Sequence, residues 1–163
     1  MSQILFLLLC VLGGCNDKSG SDSGDSVDSD LALAAELWEA ISGYNFWGQH
    51  PDFLGIQESA DGTHGAFVQV WYDSSAEAAI LEGSEIPDGS ILVKQGYGDA
   101  EGTELLNLTV MWKIDGYDPD NADWFWARYL PDTGEVTLAG AESACSGCHK
   151  SQDVDNDLVL FLE

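Results

Sequence analysis

The spacing of apolar residues changes along the chain, and each change marks a different part. Ile4 to Leu12 is almost continuously apolar, a run too short to span a bilayer as a mature helix. Asn16 to Asp30 is Ser, Gly and Asp with almost nothing apolar. From Leu31 the spacing becomes that of a folded domain. Leu33, Leu37, Trp38 and Ile41 recur at helical intervals and predict an amphipathic helix from near Asp30 to Gly43. Tyr44 to Thr63 scatters Gly, Pro and Asp among aromatics and reads as loop. Ala66 to Tyr72 is aromatic and β-branched, a strand. Ser74 to Glu77 has a capping-box pattern and Gly83 is a stop, which predicts a short helix over 75–82. Ile91–Tyr97, Leu105–Ile114 and Trp124–Leu130 read as strands, and Glu135–Leu138 pairs back after the turn Pro131-Asp132-Thr133-Gly134. The expected fold class is α+β: an antiparallel β-sheet with a few helices and a C-terminal segment that follows the last strand.

The N-terminal pattern sets the domain organisation. Leu12-Gly13-Gly14-Cys15 resembles a bacterial lipobox, and small residues before a cleavage point are what a signal peptidase reads. Residues 1–14 are thus expected to be a lipoprotein-type signal peptide. Residues 15–30 would be a lipidated Cys15 followed by a flexible acidic tether, because such a segment buries too little surface to offset its ordering entropy. Its r.m.s. reach is roughly 20 Å on random-coil scaling. Residues 31–163 form the domain. This predicts an exported protein of the bacterial periplasm or cell envelope, touching the membrane only through its lipid anchor.

Charge narrows the partners. The 163 residues carry a formal net charge of −24. Phosphates would be repelled, so no nucleic-acid partner is expected, and an anionic membrane would repel the chain as well. The acidity serves solubility or a preference for basic partners and names none of them.

The four cysteines are Cys10, Cys15, Cys145 and Cys148. Cys10 would leave with the signal peptide and Cys15 would carry lipid, so none remains for a disulfide framework. Cys145-Ser146-Gly147-Cys148-His149 is the attachment signature of c-type haem. Two thiols add across the porphyrin vinyl groups, and the adjacent His149 puts an imidazole nitrogen on the iron. The rival readings are half of a zinc site, a redox cysteine pair or a chance match. Zinc as a rule needs four ligands, and the mature domain has no other Cys. A redox pair expects a βαβ setting that is absent. No Met follows the motif, so the sixth iron position is not obviously filled, and an open position is where ligands bind.

Further motifs carry a family resemblance over about residues 64–161. His64-Gly65 opens a strand. Pro87-Asp88-Gly89-Ser90-Ile91-Leu92-Val93-Lys94 is followed by Leu108-Thr109-Val110-Met111-Trp112-Lys113, Gly116-Tyr117-Asp118-Pro119 and Asp123-Trp124-Phe125-Trp126, with the haem motif and Asp157-Leu158-Val159 last. In this order they resemble the cytochrome P-460 family, which includes the β-sheet cytochromes c′. The resemblance implies haem c (iron) in a five-coordinate state above an antiparallel sheet, often in a homodimer. It implies two functional classes. One oxidises hydroxylamine with a haem cross-linked to a lysine, which would need a redox partner protein. The other lacks the link and binds nitric oxide and similar gases. Lys94 sits where the cross-linking lysine falls, and Gln95 stands where an acidic residue commonly follows it.

Individual residues can be weighed on their chemistry. Lys94 shares a strand face with Leu92 and Gly96 on period-two geometry, so it points either into a haem pocket or to solvent. Arg128 and Lys113 are candidates to hold the haem propionates, with surface ion pairs as the alternative. Met111 reads as core filler and His64 as a structural hydrogen-bonder at a loop edge, with axial ligation the alternative for each. Among Phe67, Trp71, Trp112, Trp124, Phe125 and Trp126, some must line a porphyrin. Asp157 could orient His149 through its second ring nitrogen, or cap the C-terminal segment. The expected function is a mono-haem oxidoreductase acting on hydroxylamine or nitric oxide. The alternatives are gas binding without turnover and electron transfer.

Overall fold

The computed structural model describes residues 23–152 and 157–159. Cys15 and the expected signal segment lie outside them. A sheet of six strands runs in chain order, each antiparallel to the next: β1 (Gln57–Glu58), β2 (Phe67–Tyr72), β3 (Ile91–Tyr97), β4 (Leu105–Lys113), β5 (Trp124–Tyr129) and β6 (Val136–Gly140). Helices are α1 (Ser23–Ala40), α2 (Ser74–Glu82) and α3 (Ser143–Gln152). The fold is α+β, as the spacing predicts. No helix among the described residues is long and apolar enough to cross a membrane.

α1 begins at Ser23, so Ser23–Asp30, which composition assigns to the tether, is helical. Tertiary contact explains the difference. Asp30 accepts a hydrogen bond from the Tyr117 hydroxyl at 2.8 Å, anchoring the helix at the point where composition alone would begin it. The helix ends at Ala40, before the expected Gly43, and left-handed Gly43 instead starts a short 3₁₀ turn, Tyr44–Phe46. At α2 the cap is Asp73, one residue ahead of the predicted Ser74. Its carboxylate accepts from Ala76 N at 2.8 Å and Ile91 N at 3.1 Å, tying the helix start to the start of β3.

Both faces of the sheet are covered. On one, Val93, Val110, Phe125, Ala127 and Tyr129 pack under Ala34 and Leu37 of α1 and Ile41 just beyond it. On the other, Tyr72, Leu92, Trp124 and Trp126 pack with Ala76 and Ala79 of α2 and with Leu158 and Val159. Double coverage explains why β5 is buried at every position except Arg128, so hydrophobicity does not alternate along it. The register sets the second face: Lys94 opposes Val70 and Thr109, Thr109 opposes Arg128, and Met111 opposes Trp126.

Candidate haem site

That second face forms the floor of a cavity of about 280 Å³. Leu92, Lys94, Thr109, Met111, Trp126 and Arg128 line it from the strands, His64 from the loop before β2, and Cys145, Cys148 and His149 from α3. Positions i, i+3 and i+4 of a helix share one face, so α3 turns both thiols and the imidazole to the same side. Trp71, Trp112 and Phe125 alternate to the opposite face and pack with the α1 core. Of the aromatics considered from the sequence, Trp126 is the one that lines the cavity.

His149 is buried, and its Nδ1 lies 2.6 Å from the carbonyl oxygen of Leu158. A carbonyl can only accept, so Nδ1 carries the proton and Nε2 keeps a free lone pair for a metal. The edge of one ring meets the face of the other between His149 and Trp126, whose centroids are 4.7 Å apart. Burial, chiefly, pushes the His149 pKa below the usual range.

The carbonyl that orients His149 belongs to Leu158, not to the Asp157 carboxylate. Asp157 and Leu158 are consecutive non-glycine residues in the left-handed region, at φ 55° and 61°, a conformation that costs roughly 1–3 kcal/mol per residue. Two contacts hold Asp157 there. Its carboxylate is 2.5 Å from Lys113 Nζ, and its carbonyl accepts from Trp124 Nε1 at 2.7 Å. Lys113, a propionate candidate from the sequence, is 5 % exposed, is not among the cavity-lining residues, and pairs its ammonium with Asp157. Both short bonds lie beneath the segment that carries the Leu158 carbonyl.

Lys94 does lie in the cavity, as strand alternation with Leu92 allows. Among the described residues its Nζ has no hydrogen-bond or ion-pair partner, and burial lowers its pKa. Arg128 is exposed and reaches the cavity at its rim, where its fork is free to take a carboxylate. Met111 lines the cavity as well.

His64 is the residue whose setting the sequence did not disclose. Its Nδ1 is 3.3 Å from Thr109 Oγ1, and its backbone oxygen accepts from Asn107 Nδ2 at 3.0 Å. Burial, with help from the nearby Lys94 charge, lowers its pKa to about 3. The available signal was Gly96, since a glycine inside a strand often marks close backbone approach.

These residues fit a c-type haem. Cys145 and Cys148 bring their thiols to the cavity, His149 presents an unprotonated nitrogen, and the remaining wall is largely apolar. Trp126 Nε1 is buried without a partner among the described residues, leaving a donor beside the cavity. Among the described residues no group of three or more His, Cys, Asp or Glu side chains could hold a bare metal ion. Cys145 and Cys148 would supply the two thioethers and His149 the axial nitrogen.

No curated protein matches the chain. The model of the family Cytochrome P460 matches residues 44–161, a span that takes in the sheet, the cavity wall and all of α3. The chain therefore belongs to the Cytochrome P460 family and is a c-type haem protein.

Proposed function

We propose that the protein is an oxidoreductase acting on hydroxylamine or nitric oxide at one haem, carried by Cys145 and Cys148 and ligated through His149. The observation that carries this reading is Lys94, half-buried in the same cavity as α3 and without a hydrogen-bond or ion-pair partner among the described residues. The haem, when bound, supplies an iron that takes a small nitrogen-containing ligand and passes electrons on. The chain does the rest. Leu158 fixes the His149 tautomer, the apolar wall limits water, and Arg128 meets a propionate at the rim. Lys94, with its lowered pKa, would hold or accept a proton within the cavity. A bond from Lys94 Nζ to a porphyrin carbon would break one N–H and one C–H bond and deliver two protons and two electrons to an external two-electron oxidant. A redox partner protein would take the electrons. Export and lipidation at Cys15 would keep the domain at the cell envelope, and a homodimer is the expected assembly.

A specific observation favours gas binding without turnover as the second reading. Among the described residues no carboxylate lines the cavity. Gln95 does not substitute for one, because its side chain bonds Trp71 and Tyr44 on the opposite face. The test is mass spectrometry of haem peptides combined with anaerobic hydroxylamine turnover. A Lys94–haem adduct with turnover supports the enzyme. Free Lys94, nitric-oxide binding and no turnover support the gas-binding protein.

A further inference from the structure

Two imidazoles meet in this cavity. The ring centroids of His64 and His149 are 6.4 Å apart and their planes cross at 82°. Two imidazoles bonded to one metal from opposite sides have centroids about 6 Å apart, because each metal–nitrogen bond is about 2.0 Å and each nitrogen lies about 1 Å from its ring centre. A direct edge-to-face contact covers the same range, so the distance alone decides nothing. The tautomers and the surroundings of His64 do.

Thr109 Oγ1 lies 3.3 Å from His64 Nδ1 and 3.5 Å from the Lys94 carbonyl. In the tautomer in which Nδ1 donates to the hydroxyl, His64 Nε2 carries a lone pair, as His149 Nε2 does. Neither Nε2 has a hydrogen-bond partner among the described residues.

The sheet is also shaped around His64. A Cβ at Gly96 would lie 1.7 Å from the His64 backbone oxygen, so only glycine lets the loop come this close. Asn107, paired with Gly96 across β3 and β4, is buried and clamps that same oxygen. Gly65, at φ 144°, packs where a Cβ would strike the Tyr97 backbone at 2.8 Å. Gly96, Asn107 and Thr109 lie on one face of the sheet and together fix the backbone and ring of a single residue. A histidine needed only to end a loop would not require this.

We propose that His64 Nε2 is the displaceable sixth ligand of the haem iron in the resting protein, so that a small ligand must compete with it. This rests on the haem reading above and adds its regulation. The Nε2 lone pair forms the bond to iron, an incoming ligand breaks it and forms its own, and no oxidation state changes. A loop carries His64, whereas α3 carries the permanent ligand.

The test uses the full chain matured with haem. Near-infrared magnetic circular dichroism and electron paramagnetic resonance should show a low-spin ferric haem with two imidazole ligands. His64→Ala should turn it high-spin, added imidazole should restore the low-spin state, and azide should bind the variant on the order of tenfold more tightly, since the competing ligand is gone. If His64→Ala does not mature, the wild-type magnetic spectrum decides alone, because two imidazoles differ there from imidazole with lysine. High-spin wild-type protein, unchanged in His64→Ala, overturns the inference and leaves the proposed function standing. So does a low-spin state that survives His64→Ala and disappears in Lys94→Gln. A histidine-dependent low-spin state in protein inert to both nitric oxide and hydroxylamine supports the inference and sinks the proposed function. Failure to attach haem at all sinks both.

Discussion

The two faces of the sheet are made by the same strands and obey different rules. Toward α1, the core is apolar and close-packed, and the buried polar side chain of Gln95 is paired. Gln95 accepts from Trp71 Nε1 at 2.8 Å and donates to the Tyr44 hydroxyl at 2.9 Å. One residue along the strand, on the other face, Lys94 is half-buried with no hydrogen-bond or ion-pair partner among the described residues, and the buried Trp126 Nε1 and Asn107 Oδ1 are unsatisfied among them. Burying a polar group without a partner costs on the order of 1–3 kcal/mol. A chain optimised only for stability would not concentrate such groups on one side. The α1 face supplies stability, and the α3 face uses some of it to hold polar groups where a cofactor meets them.

Removing groups from each side in turn sharpens this contrast. The largest expected effect lies beneath the site. Lys113→Met strands the Asp157 carboxylate, and breaking a buried pair in this way costs about 3–5 kcal/mol. With Asp157 released, Leu158 loses its hold on His149. Denaturant unfolding should show the stability loss, and the haem reduction potential should rise as the imidazole donates less charge. Leu37→Ala on the α1 face should cost about 3 kcal/mol through the cavity it leaves, with the haem spectrum unchanged. A spectral shift in that variant would mean that the faces are not independent.

The effect of pH is graded and small at any one step. His64 has a folded pKa lowered to about 3, against an unfolded value near 6.5. Above pH 6.5 the ring is neutral in both states and its contribution is whole. Below that, the unfolded ring takes a proton that the folded ring refuses. Stability should fall as pH drops from about 6.5 to about 3, by up to about 1.4 kcal/mol per pH unit from this residue. Lys94, Arg128 and His149 reinforce the shift and Asp61 opposes it. The slope should be shallower in His64→Ala when unfolding is followed by tryptophan fluorescence. An identical slope would place the ring in solvent.

Much of this was legible in the sequence, for local reasons. Ile91–Tyr97 is a strand within its predicted bounds, because β-branched residues and a preceding Pro-Asp-Gly turn mark it. Lys94 faces the cavity because strand alternation with Leu92 is a geometric necessity. Cys145, Cys148 and His149 needed only their spacing. What stayed hidden depends on contacts distant in sequence. Lys113 resembled any strand-end cation until Asp157, 44 residues later, came into contact with it. The choice between Trp126 and Phe125 for the cavity could not be made from residues that are buried on both faces. The contact of Asp30 with Tyr117, 87 residues later, is one that composition cannot see.

The central claim is a haem bound covalently to α3 through both thiols. The direct test is mass spectrometry of the intact holoprotein and its proteolytic peptides, after removal of all non-covalent haem. One haem per chain, on a single peptide containing Cys145, Cys148 and His149, is the predicted result. A chain without added haem mass, or a haem on a peptide lacking these cysteines, would contradict it.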